Sequence, residues 1–264
     1  MKKIVLWTTL FVCAIGCGAR TGLNVQGLCN CPRPTPPNPS QPIRYGDIIR
    51  LDVNTGYPGY CYYIGRNGNR YVIPDDRNAS PTSGFFFPGR HTADSWNMDD
   101  IVIRPVPRAT LASVMISGNV PLRAGTYLVR ISTDPAIYVI TPGGVLHRLG
   151  NDIPIASDAL PRLYGLNWHD RVLTISDANF VASYTLGAPA SQTVHAEGTL
   201  ISYASEPGKI YYVTRDGHRR LITPGGFCAN RFGCRWVVMT TIAYPDGPPI
   251  TAREPAIADM VYVP

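Results

Sequence analysis

Lysine is nearly absent from this chain of 264 residues: only Lys2, Lys3 and Lys209 occur, and arginine supplies every other basic charge. Charged residues make up 16% of the whole, too few for a disordered, self-repelling polymer, so the chain reads as globular. The arginines are scattered and form no run, which argues against a nucleic-acid footprint. No apolar stretch approaches the roughly 20 residues a membrane-spanning helix needs. There is no Gly-x-Ser-x-Gly around a serine, no His-Glu-x-x-His and no phosphate-cradling glycine loop. A nucleophilic hydrolase, a zinc peptidase of that type and a P-loop enzyme therefore have no support in the motifs.

Proline and glycine are plentiful, at 25 each. That density of chain breakers favours many short strands and tight turns over long helices. Lys2 and Lys3 precede an apolar run, Ile4 to Ala14, that ends Ile15-Gly16-Cys17. A charged start, a short apolar segment and a small-residue exit form the pattern of a secretory signal over residues 1–19. Ile-Gly-Cys resembles a bacterial lipobox, which implies that Cys17 carries a diacylglycerol. Cleavage after Ala19 is the alternative.

Residues 20–43 form a proline-rich spacer, with Cys29-Asn-Cys-Pro-Arg-Pro-Thr-Pro-Pro-Asn-Pro-Ser-Gln-Pro42 at its heart. Such a stretch is semi-rigid at about 3 Å per residue and would hold a domain off a membrane surface. Outside the cytoplasm cysteines are expected in disulfides. Cys228 and Cys234 lie close enough in sequence for a local bridge, and Cys61 is expected to pair with Cys29 or Cys31, leaving one thiol over. Zinc is not expected, because Cys29-Asn-Cys31 has no matching histidine pair.

From residue 44 onward the chain repeats itself with a period of about 75 residues. Unit one spans 44–122, unit two 123–195, and unit three 196–264 and is divergent. Each has an apolar strand, then a tyrosine six residues before a turn glycine: Tyr62 and Gly68, Tyr138 and Gly144, Tyr211 and Gly217. Asn67-Gly68 and Asp216-Gly217 between apolar strands predict β-hairpins closed by type I′ turns. A tryptophan then precedes a further β-branched run, at Trp96, Trp168 and Trp236. Residues 157–165 read as a short helix ended by Gly165, and residues 177–184 as a helical turn. The fold class is mainly β with short helices, in three tandem hairpin-containing repeats.

Stretches such as Leu128 to Tyr138, Tyr164 to Arg171 and Ile175-Ser-Asp-Ala178 resemble a tandem repeat of secreted, S-layer-like and lipoprotein sequences of bacteria. The opening Cys17 to Leu23 resembles the start of myxobacterial lipoproteins. The resemblance implies a surface location, at the outer membrane or cell surface, and no particular activity.

Chemistry is sparse. Trp168-His169-Asp170 is the most tempting acid–base cluster, but it reads as a loop with a packing anchor. His147 and His218 read as solvent-facing strand positions. Asp75-Asp76 and Asp99-Asp100 belong to no calcium loop. Phe85, Phe86 and Phe87 form the best candidate for an exposed apolar contact. Three readings follow. The first is a non-enzymatic, lipid-anchored scaffold, with no catalytic residue, cofactor or metal, whose partners are the membrane and envelope polysaccharide or another surface protein. The second is a glycan- or peptidoglycan-binding module, which would need Tyr and Trp rings lining an open groove. The third is an extracytoplasmic hydrolase or protease inhibitor.

Overall fold

The computed structural model describes residues 31–32, 41–52, 61–74, 90–98, 103–131, 133–151, 159–175 and 184–262. Cys17, Cys29, Phe85 to Phe87 and the acidic pairs at 75–76 and 99–100 lie outside them.

Three five-stranded sheets carry the fold. The first contains β1 (Ile48–Leu51), β2 (Cys61–Ile64), β3 (Arg70–Val72), β4 (Arg104–Val106) and β5 (Ile116–Asn119). The second contains β6 (Leu128–Ile131), β7 (Ala136–Thr141), β8 (Val145–Asn151), β9 (Val172–Ile175) and β10 (Thr185–Leu186). The third contains β11 (Leu200–Ser202), β12 (Tyr211–Val213), β13 (Arg219–Ile222), β14 (Val238–Met239) and β15 (Asp246–Ile250). Each sheet falls inside one of the spans read from the sequence.

The strand order is the same in all three: fourth, first, second, third, fifth. The first three strands of each form an antiparallel meander. The fourth then lies parallel to the first and the fifth parallel to the third. Strands that run the same way cannot be joined by a tight turn, so the chain must cross the sheet. Short helices make that crossing after the third strand: Arg90–Ser95, Ala159–Tyr164 and Pro224–Ala229.

The register repeats as well. Tyr62 pairs with Ile49, Tyr138 with Val129 and Tyr211 with Ile201. The three aliphatic partners are fully buried. Alternation along the strand sends the next pair, such as Ile48 with Tyr63 or Leu200 with Tyr212, to the opposite face, which is also covered. Each sheet is thus apolar on both sides, which explains near-continuous runs such as Leu128-Val129 and Ile137 to Ile140.

The hairpin turns differ from the expectation in one respect. A type I′ turn needs positive φ at both central residues. The Gly143-Gly144 hairpin does not meet that: Gly144 N–H donates to the Thr141 carbonyl at 3.2 Å, so the central residues are Pro142, whose ring fixes a negative φ, and Gly143 (φ 85°). In the other two hairpins Gly68 (φ 77°) and Gly217 (φ 75°) are left-handed, whereas Asn67 and Asp216 are not. These are longer connections with one left-handed glycine, in which Gly68 N–H donates to the Gly65 carbonyl at 3.0 Å and Gly217 N–H to that of Thr214 at 3.1 Å. Asn67 and Thr214 side chains accept backbone N–H groups inside their turns, an alternative that short polar side chains offer.

The units interlock. Trp96, Trp168 and Trp236 are all buried. Trp236 packs on Leu122, Tyr127, Val129 and Ile140 of the second sheet's neighbourhood, and its indole N–H donates to the Asp94 carbonyl at 3.1 Å. Trp168 shares a core with Val238 from the third sheet. Met260 and Val261, beyond the third sheet, fill the core beneath the first. Where unit two begins, Gly125 (φ 70°) meets the start of unit three so closely that a Cβ there would sit 2.2 Å from the Gly198 oxygen. The third unit, though divergent in sequence, has a complete five-stranded sheet.

Candidate functional site

The described surface has a cleft of about 200 Å³ where the three units meet. Unit one contributes Arg66 and Trp96, the boundary and unit two contribute Arg123 and the Thr141 to Gly144 turn, and unit three contributes Tyr212 and the segment around Asp259. Its position follows from the fold: hairpin turns and unit starts converge there.

Arg123 lies at the back of the cleft and is buried. Its backbone N–H donates to Ser95 Oγ at 3.1 Å, which ties the start of unit two to the first unit's helix. Its guanidinium is stacked between two rings, 4.4 Å from the Phe232 centroid and 5.0 Å from that of Trp96. Nη1 donates to the Arg231 carbonyl at 2.6 Å and Nη2 to the Ile257 carbonyl at 3.4 Å. No carboxylate is among these partners. Burial pushes the guanidinium pKa down to about 9, and the neighbouring Arg231 charge adds to that.

At the rim, Asp259 is saturated. It accepts from Arg66 Nε at 2.7 Å, from Arg253 Nη2 at 2.8 Å and from the Tyr45 hydroxyl. Both guanidiniums also lie over the Tyr45 ring, at 5.6 and 5.0 Å.

The histidines and cysteines fall out as follows. His169 stacks on Trp168 with ring centroids 3.6 Å apart, inside the 3₁₀ turn Trp168–Arg171, so the Trp-His-Asp cluster is a turn built around a buried indole. His147 is half-buried, with Nε2 3.0 Å from Thr141 Oγ1. His218 faces Asp216 at 3.1 Å. His195 is the residue that sequence reasoning passed over. It is buried, its Nε2 lies 2.7 Å from the Leu163 carbonyl, and its Nδ1 lies 2.7 Å from the Tyr244 hydroxyl. The carbonyl can only accept, so Nε2 carries the proton and Nδ1 accepts from Tyr244. Burial holds its pKa down to about 4.

The disulfide pattern corrects the local-bridge expectation. Cys228 is bonded to Cys31, 197 residues away, not to Cys234. Phe232, between the two nearby cysteines, is driven into the core against Phe227 and Tyr212. Cys228 in turn sits on the short helix, where it meets the N-terminal segment. Cys234 is itself disulfide-bonded. Cys61 is the thiol left over rather than a partner of Cys29 or Cys31: it is buried in β2, and burial pushes its pKa up to about 11.

Among the described residues, no group of three or more His, Cys, Asp and Glu converges as a metal site, and no helix is long and apolar enough to cross a membrane. No protein-family model, curated protein or solved structure matches the chain.

Proposed function

We propose that this is a non-enzymatic envelope lipoprotein: a rigid head of three structural repeats, held off a membrane by a proline-rich spacer and a lipid on Cys17. The observation that carries the reading is the shared strand order and register of the three sheets. Three copies of one scaffold, each buried on both faces, are built for shape and stiffness. The tryptophans support it too. A sugar-binding groove would expose rings for stacking, whereas Trp96, Trp168 and Trp236 are between 4% and 8% exposed. The lysine-flanked apolar start and the Ile-Gly-Cys17 exit supply the anchor.

Intact-mass measurement on protein purified from bacterial membranes, with and without reduction, tests the reading. A diacylated species beginning at Cys17 is expected. An unlipidated chain beginning near Arg20 would remove the tether and leave the scaffold reading without its location.

A further inference from the structure

We propose that the three-unit cleft binds a small molecule carrying a single carboxylate, about the size of one sugar or aromatic ring. The inference goes beyond the scaffold reading and does not need the lipid anchor.

Arg123 carries the argument. A guanidinium has five N–H donors, and carbonyl oxygens of Arg231 and Ile257 occupy two. The second of those contacts, at 3.4 Å, is long. Burying a cation without an anion is costly, and cores normally avoid it or pair it. Here the two ring faces and two carbonyls hold the charge in place and orient it, but none neutralises it. Arg123 is one of the residues that line the cleft.

The charge around the cleft sets the ligand's charge. Arg66 and Arg123 line it against one carboxylate, Asp259. That carboxylate is already taken by Arg66, Arg253 and the Tyr45 hydroxyl. With Arg253 counted, three guanidiniums face this one carboxylate, and the guanidinium of Arg123 is the one whose hydrogen bonds reach no carboxylate. A carboxylate would bring to Arg123 the single negative charge it lacks. A guanidinium fork matches a carboxylate bidentately, with two parallel N–H···O bonds.

The walls set the ligand's body. Trp96, Leu122, Tyr212 and Met260 line the cleft, and Tyr262 stands at its mouth, 73% exposed. The space of about 200 Å³ compares with the roughly 150 Å³ of a cavity that takes up one benzene ring. Of these residues only Tyr262 offers a ring face, and a flat or ring-shaped body would sit against it with its carboxylate toward Arg123.

NMR titration of the full mature chain with matched pairs tests this: glucuronate against glucose, and benzoate against benzyl alcohol, with inorganic phosphate alongside. At least one carboxylate is expected to bind tenfold or more tightly than its neutral counterpart, and more tightly than phosphate. Arg123→Met, which keeps an apolar stem between Trp96 and Phe232, should abolish that preference. Arg66→Gln changes an exposed rim residue and should weaken carboxylate binding severalfold, so it decides the matter if Arg123→Met fails to fold. Equal or absent binding of the charged and neutral members of both pairs overturns the proposal. So does phosphate binding more tightly than both carboxylates, or a carboxylate preference that survives Arg66→Gln unchanged.

Discussion

His195 shows how a single side chain can be costly in acid and valuable at neutral pH. It is neutral in the fold because both ring nitrogens are occupied and because burial, with Arg171 nearby, disfavours the charged form. In the unfolded chain its pKa returns to about 6.5. The unfolded state therefore binds more protons between pH 6.5 and 4, and stability must rise with pH across that window. The contribution is complete above about pH 6.5 and is lost as pH falls toward the folded value of about 4, by about 3 kcal/mol in all. Glu197, whose pKa burial raises, acts in the opposite sense. Melting temperature measured from pH 7 to pH 4 should fall steeply in the parent chain and less steeply in His195→Gln. Parallel slopes in the two would show that His195 is not buried neutral. None of this was legible in the sequence, because the partners, Leu163 and Tyr244, lie 32 and 49 residues away. Arg123 was hidden for the same reason: Phe232, Arg231 and Ile257 reach it only through the fold.

At the scale of elements, what repeats locally could be read and what pairs at a distance could not. The hairpins announce themselves through β-branched runs around a turn glycine, and the helix before Trp168 ends at Gly165 (φ 82°), as its sequence implies. The fifth strands carry no such signal. β10 has two residues and β15 reads Asp-Gly-Pro-Pro-Ile, a sequence that local propensity rejects as a strand. Pro248 and Pro249 survive there because β15 is an edge, where a missing N–H costs no ladder bond. The tryptophan after each helix was legible as an anchor because it recurs. Trp168 packs its indole between the helix Ala159–Tyr164 and the second sheet, with Val238 of the third sheet beside it. Trp168→Ala should therefore cost about 3–5 kcal/mol, read as a lowered urea midpoint. An unchanged midpoint would sink the packing role and promote a binding one.

For the whole molecule, the decisive links run between residues far apart in the chain. Met260 and Val261 seal the first unit's core, Asp259 holds Arg66 and Tyr45, and Trp236 bonds to the Asp94 carbonyl. The end of the described chain is thus packed against its beginning. The Cys31–Cys228 disulfide adds a covalent link of the same kind. It fastens Cys31 to the helix Pro224–Ala229 of the third unit, so the whole of the first two sheets lies inside the closed loop. In the chain-entropy view, closing a loop of 197 residues restricts the unfolded state by about 5 kcal/mol. The Cys31→Ser/Cys228→Ser double variant, unfolded in urea without reductant, isolates this bond from the one at Cys234. Its unfolding free energy should drop, but by less than that figure and with little change in the dependence on denaturant, because the bond at Cys234 still constrains the unfolded chain. Equal midpoints for variant and parent would mean that the Cys31–Cys228 bond adds nothing to what the interlocked cores already hold.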